Sequence, residues 1–201
     1  MISKENFIVE IKNLSTVEQK LIFTQKYFFS GLPFLFNNDE IGYFDFKNRV
    51  SNHFKVNHYD IFIVGSSKLG FSPYKLTDFN YNSDVDVVIA NEKLFDYFFK
   101  IVCDYQYLLK NNEIRLDRIQ MKSYEKFLKY FVMGWMRPDL IPTNSTDFKK
   151  IRSEWDNFFH SISYSKSEAG NYKIKGGLFK NMSFAETYYL TTIREIQSKN
   201  I

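Results

Sequence analysis

The sequence predicts an α/β fold, in which a small mixed sheet is flanked by helices and further helices are added on the N-terminal and C-terminal sides. Two apolar, β-rich runs, Ile61–Val64 and residues 87–90, indicate buried strands. Amphipathic stretches before and after these runs repeat apolar residues at helical spacing. The chain has 201 residues, which suits a single domain over 1–201 with its core at 44–110 and helical and late-strand elements at 113–201.

Composition leaves several function classes open and closes others. Aromatic residues make up 19% of the chain; a compositional bias accounts for most of them, and some can stack on bases. The net charge of +4 permits a polyanionic partner without requiring one. The single cysteine, Cys103, excludes an internal disulfide. No apolar run reaches the ~20 residues of a membrane span and no cleavable signal precedes Ser15, so we expect a cytoplasmic protein without membrane contact.

The region before the first strand is predicted to be a helical scaffold. Ser15 and Glu18 have the spacing of a capping box, and the helix that they begin runs to about residue 30, where Gly31-Leu32-Pro33 stops it. Residues 44–54 form a second amphipathic helix.

A turn of small residues, Gly65-Ser66-Ser67, follows the first strand. Small residues let the backbone approach a ligand closely, and their N–H and hydroxyl groups can donate to phosphate oxygens. Lys68 comes next and has two interpretations. It either neutralises a bound phosphate as a point cation or lies solvated on a short helix.

Two carboxylates open the second strand. Asp84 and Asp86 lie two residues apart, so the period of a strand places both on one face. Such a pair is costly without a positive partner, and a hard divalent cation carrying substrate phosphates meets that need. The alternative is an exposed edge strand protected by charge, but the apolar run at 87–90 argues against it. Ser83, just before the pair, is placed to hydrogen-bond a carboxylate.

Gly65-Ser66, followed after a connector by Asp84-Val85-Asp86-Val87, resembles the signature of the polymerase-beta-like nucleotidyltransferase superfamily. The resemblance implies a nucleotidyltransferase-type sheet, a Gly-Ser turn that binds the triphosphate of an NTP, and catalytic acids Asp84 and Asp86 that hold Mg²⁺ or Mn²⁺. It covers about thirty residues, and its connector of seventeen residues after Ser66 is longer than usual, which requires a short helix and an extra loop. The remainder looks like a small bacterial branch, some members of which occur in toxin–antitoxin and anti-phage loci.

A third acid is expected from the family on a later strand, and the sequence does not supply it. The strand predicted at 172–179 contains no carboxylate, and its centre is Gly176-Gly177, which marks a bulge or a close backbone approach. Two interpretations remain. Either Asp84 and Asp86 hold the metal together with substrate phosphates and water, or the site binds a nucleotide without turnover.

The other elements follow from local signals. Asn91 caps a helix over Glu92–Lys110. A helix at about 113–133 carries a row of basic residues, which is either a solvated face or a track for a nucleic-acid backbone. The row is Arg115, Arg118, Lys122, Lys126 and Lys129. A helix capped by Ser145 or Asp147 runs to about 161, and a capping box at Ser183 and Glu186 begins the last helix, which ends near 198.

The loop at 134–142 is the second candidate site segment, because two prolines make it rigid. Arg137 either contacts a phosphate or an acceptor, with Trp135 stacked on a base, or pairs with Asp139 in a loop pinned by Trp135.

The leading functional hypothesis is a Mg²⁺-dependent enzyme that transfers an NMP from an NTP to a hydroxyl on RNA, protein or another nucleotide. The first alternative is a nucleotide-binding or partner-binding module of a defence or toxin–antitoxin operon, with an operon protein as its partner. The second is a nucleic-acid-binding protein that uses the basic row, whose affinity would fall steeply with salt.

Overall fold

A four-stranded mixed sheet forms the centre of the computed structural model, which describes residues 2–199. The strands are β1 (Ile61–Val64), β2 (Asp84–Ala90), β3 (Trp135–Met136) and β4 (Lys173–Phe179). Their spatial order is β1-β2-β4-β3. The central pair, β2 and β4, is parallel, whereas β1 and β3 run antiparallel to their neighbours. The prediction of a mixed sheet flanked by helices is thereby confirmed.

Eight α-helices surround the sheet within the described residues. They are α1 (Lys4–Asn13), α2 (Val17–Thr24), α3 (Glu40–Phe54), α4 (Ser66–Leu69), α5 (Glu92–Lys110), α6 (Arg118–Val132), α7 (Thr146–Ser161) and α8 (Met182–Ser198). A π-helical turn, Gln25–Phe29, continues α2. Over residues 2–199, none of the helices combines the length and the apolar character needed to cross a bilayer.

The two faces of the sheet bury different clusters. On the inner face, Val85, Val87 and Ile89 of β2 join the main core, to which α3, α5, α6 and α7 contribute. On the outer face, Val88 and other apolar residues pack beneath Ala185 of α8. A third cluster joins α1 and α2 to the end of α8. The helix α8 covers only the apolar part of β2 on the outer face. The part of β2 that carries Asp84 and Asp86 is not buried.

Local signals set several boundaries as predicted and others differently. Asn91 accepts from Leu94 N at 2.9 Å and begins α5, as predicted. The first capping box is formed by Thr16 and Gln19, so the prediction of Ser15 with Glu18 is wrong by one residue. Asn181, not Ser183, caps α8. The helices α3 and α6 begin at Glu40 and Arg118, four residues before and five after the predicted 44 and 113.

The paired glycines of β4 are sites of close approach. The register with β2 runs unbroken from Lys173 to Phe179, so the predicted alternative of a bulge is wrong. A Cβ on Gly176 would lie 2.0 Å from the Phe159 ring, and one on Gly177 would lie 2.8 Å from Nε1 of Trp135. Trp135 belongs to β3, a short strand inside the segment that was expected to be a loop.

Candidate functional site

The Gly-Ser turn and the acid pair come together at one edge of the sheet. In the antiparallel register of β1 and β2, Val64 lies opposite Asp86, which places Gly65 beside the Asp86 side chain. Gly65 has φ +68° and ψ −143°, a conformation that is essentially restricted to glycine. A Cβ at this position would lie 3.1 Å from Oδ2 of Asp86. The turn therefore passes directly over a carboxylate, and only glycine fits there.

Two lysines of β4 face the acids, and the sequence did not identify either as a site residue. The parallel register places Lys173 opposite Asp84 and Lys175 opposite Asp86, so all four side chains lie on the outer face. Nζ of Lys175 lies 2.5 Å from Oδ2 of Asp84. The period-two pattern Lys173-Ile174-Lys175 was visible in the sequence, but its significance depends on which strand pairs with β2.

The charges of the cluster perturb one another. Burial raises the pKa of Asp86 from 3.8 to about 6; the charge of Asp84 adds to this effect and that of Lys175 opposes it. Asp86 is an exposed residue of β2. The desolvation therefore comes from neighbouring protein atoms close to its carboxylate and not from complete burial of the residue. The pKa of Lys175 is raised by its hydrogen bond to Asp84 and by the charges of Asp84, Asp86 and Asp139. A carboxyl group that titrates near neutrality in a cleft is a common feature of functional sites.

A cleft of about 790 Å³ runs along β4, and Asp86, Lys173 and Lys175 of this cluster line it. Arg137 is a further charged group of the lining, and residues of α7, including His160, also contribute to it. Trp135, Tyr188 and Tyr189 add aromatic surface. The volume is in the range of small-molecule sites.

The hydroxyl and amine groups of the turn have structural partners. Ser67 is fully buried and donates from Oγ to Val64 O at 3.0 Å. Lys68 points away from the cleft, and its ammonium donates to the carbonyls of Ser30, Gly31 and Leu32 at 2.5, 2.7 and 3.3 Å.

Three contacts use all three ammonium donors of Lys68, and burial lowers its pKa to about 8. Neither interpretation of Lys68, a phosphate contact or a solvated position, matches these contacts, because the buried residue ties α4 to the end of the N-terminal helical region. Ser66 is the first residue of α4 and is half-buried. The hydroxyl of Ser83 accepts from Asn80 N at 3.1 Å and closes a turn of the connector, and none of the hydrogen bonds found in residues 2–199 joins it to a carboxylate as predicted.

Arg137 adopts the ion-paired alternative and still lines the cleft. Its guanidinium makes two contacts with Asp139, at 3.2 and 2.7 Å. It also lies 5.1 Å from the ring centroids of Tyr130 and Trp135. Trp135 in turn stacks on Phe179 at 5.5 Å with an interplanar angle of 8°. The indole is thus held by Phe179 and Arg137, which leaves it poorly placed to stack on a base.

The basic row of α6 lies apart from this site. Four of its residues are exposed on the helix, and Arg115 precedes the helix; in the part of the chain that the structure describes, none of the five lines the cleft. The four on the helix are Arg118, Lys122, Lys126 and Lys129.

Asp84 and Asp86 are the side chains of the cluster that can serve as oxygen ligands for a divalent cation. Mg²⁺ is commonly bound by one or two carboxylates together with substrate phosphates and water. Within residues 2–199, no three His, Cys, Asp or Glu side chains converge as a metal-binding set, so protein ligands alone do not complete a site. The ammonium of Lys175 already occupies a cation position at Asp84. A metal here would be held by Asp84 and Asp86 and completed by phosphate oxygens.

Comparison of the chain with models of protein families, with curated proteins and with solved structures gives no match. The function is therefore inferred from the residues of the cleft.

Proposed function

We propose that the acid pair, the Gly65-Ser66 turn and the adjoining cleft bind an NTP and transfer its NMP group to a hydroxyl acceptor, as in polymerase-beta-like nucleotidyltransferases. The observation that carries the proposal is the position of Gly65, whose backbone lies against Asp86 while Asp84 occupies the same strand face. A phosphate chain bound at the Gly65-Ser66 backbone would lie directly beside both carboxylates.

The residues of this site have distinct roles in the reaction. Gly65 and Ser66 bind the triphosphate, and Lys175 offsets negative charge on its phosphates. Mg²⁺ or Mn²⁺ held by Asp84 and Asp86 would supply charge neutralisation at the reacting phosphate. An acceptor oxygen forms a bond to the α-phosphorus, the bond to the bridging oxygen breaks, and pyrophosphate leaves with the electron pair. The hydroxyl proton passes to water, and alignment of the two groups accounts for much of the acceleration.

The experiment measures label transfer from each α-labelled NTP, with Mg²⁺ or Mn²⁺, to total RNA, to protein and to nucleotide acceptors. We expect transfer by the wild-type chain and loss of transfer in the double variant Asp84→Asn, Asp86→Asn. Asp104→Asn is the matched control, because Asp104 also pairs with a lysine but lies on the surface of α5. Transfer to no acceptor, or transfer that survives the double substitution, contradicts the proposal.

A second function, nucleotide or partner binding without turnover, is favoured by the position of Lys175. A lysine stands on the strand next to the acid pair, where a third carboxylate would complete the metal site. This alternative retains the defence or toxin–antitoxin setting with an operon protein as partner. Calorimetry that detects NTP binding while no pyrophosphate is released would support the binding module over the enzyme.

A further inference from the structure

Lys175 is the cation of the cleft that touches the acid pair. Its ammonium contacts Asp84 at 2.5 Å, whereas Lys173, two residues earlier on the same face of β4, takes part in none of the ion pairs found in residues 2–199. The two lysines therefore occupy similar positions on the strand but differ in their contacts. Comparing the two lysines therefore distinguishes the effect of the ion pair with Asp84 from the effect of positive charge on β4 in general.

The ion pair is held in place weakly. The side chain of Lys175 is 51% exposed and that of Asp84 is 35% exposed. Exposed pairs of this kind contribute at most about 1 kcal/mol to stability. Lys175 also has a flexible four-carbon stem, so its ammonium can leave Asp84 without disturbing the strand.

We propose that Lys175 competes with a divalent cation for Asp84 and moves to a substrate phosphate when the cation binds. An ammonium and a dication cannot share the same carboxylate oxygen at contact distance, because their charges repel. A phosphate beside the acid pair gives the displaced ammonium a new anionic partner. The consequence is ordered binding, in which metal alone binds weakly and metal with a phosphate ligand binds well. The phosphate half of this inference rests on the proposed function, whereas the metal half does not.

The first experiment titrates Mn²⁺ alone and measures free Mn²⁺ by electron paramagnetic resonance. The chains compared are the wild type, Lys175→Met and the control Lys173→Met, with folding of each checked by circular dichroism and thermal unfolding. We expect Lys175→Met to bind Mn²⁺ roughly tenfold more tightly, since a unit charge beside a dication contributes an energy of this order in a solvent-exposed site. Lys173→Met should stay within about twofold of the wild type, because it removes a more distant, unpaired charge.

The second experiment measures binding of α,β-methylene-ATP in saturating Mn²⁺, the condition in which the proposal places the Lys175 ammonium on phosphate. The substitution should change nucleotide affinity in the direction opposite to its effect on Mn²⁺ affinity. We expect Lys175→Met to bind the nucleotide about fivefold more weakly than the wild type, because it lacks a charge-assisted contact to phosphate. If Lys175 only stabilised the strand, its replacement by methionine would not both strengthen Mn²⁺ binding and weaken nucleotide binding.

Equal Mn²⁺ affinity in the wild type and Lys175→Met overturns the inference, as does an equal gain in Lys173→Met, which would indicate only a change in net charge. Failure of NMP transfer with the expected Mn²⁺ result contradicts the proposed enzyme but leaves the competition at Asp84 supported. Unchanged nucleotide affinity in Lys175→Met overturns the movement of Lys175 to phosphate.

Discussion

The outer face of the sheet has two halves that differ in cover and in chemistry. The covered half contains Val88, Ala90 and Phe179, which are 3%, 7% and 2% exposed and lie beneath α8. The open half contains Asp84 and Lys175, whose side chains are 35% and 51% exposed. Both halves belong to the same two strands, β2 and β4.

Strand direction explains why the halves are so sharply separated. Because β2 and β4 are parallel and in register, the charged first residues of both strands lie side by side, and so do their apolar last residues. The antiparallel strand β1 ends beside the charged half, which brings its glycine turn to the same place. The covered half therefore supplies stability, and the open half is free to carry charges that the core would exclude.

The largest effect is expected in the covered half. Phe179 stacks on Trp135 and is almost fully buried, so Phe179→Ala should lower the free energy of unfolding by about 3–5 kcal/mol. Urea denaturation measures this change. The control Lys173→Ala, on the same face of the same strand, should cost less than about 0.5 kcal/mol. Similar losses in the two variants would mean that the halves do not differ as the burial of their side chains indicates.

A smaller effect is expected at Gly177, which lies at the boundary between the halves. A side chain there would meet the indole nitrogen of Trp135, which Phe179 and Arg137 hold in place. We expect Gly177→Val to cost about 1–3 kcal/mol through overpacking and to shift the emission of Trp135 to longer wavelength. The measurement uses a Trp155→Phe background, in which Trp135 is the sole tryptophan. Unchanged emission and stability would show that the indole is free to move.

The sequence predicts the elements whose signals are local. The strand β2 and helix α5 have the predicted bounds, because an apolar run and an asparagine cap mark them without reference to other parts of the chain. The shift from Ser15 to Thr16 arises because both residues, and both Glu18 and Gln19, satisfy the same capping pattern one residue apart. Boundaries of this kind depend on small energy differences between adjacent residues.

The parts of the site that the sequence missed depend on pairing between distant segments. Lys175 acquires its meaning from β4 lying next to β2, which is a contact across 91 positions of the chain. The sequence left Lys68 between a phosphate contact and a solvated position, but carbonyls of residues 30–32 bind it. Local patterns identify which residues have suitable chemistry, whereas the direction of each side chain is decided by tertiary packing.

The smallest effect, and one of opposite sign, is expected from Asp86 in the open half. Its pKa is raised to about 6 in the folded chain. A carboxyl group with a raised folded-state pKa favours folding below about pH 4, and this contribution is lost as the pH rises through about 6. Relative to Asp86→Asn, the wild type should therefore become less stable over this interval, by about 1 kcal/mol once solvent screening is allowed for.

Urea titrations of both proteins at several pH values between about 4 and 7 measure this difference. Phe179→Ala, which changes no titratable group, serves as the control and should show a nearly constant loss across the same interval. A constant difference between the wild type and Asp86→Asn would show that the Asp86 carboxylate is solvated like an ordinary surface acid. A difference that rises with pH would mean that the open half retains a charge at some cost to the fold, which is the arrangement expected where a residue is kept for binding a ligand and not for stability.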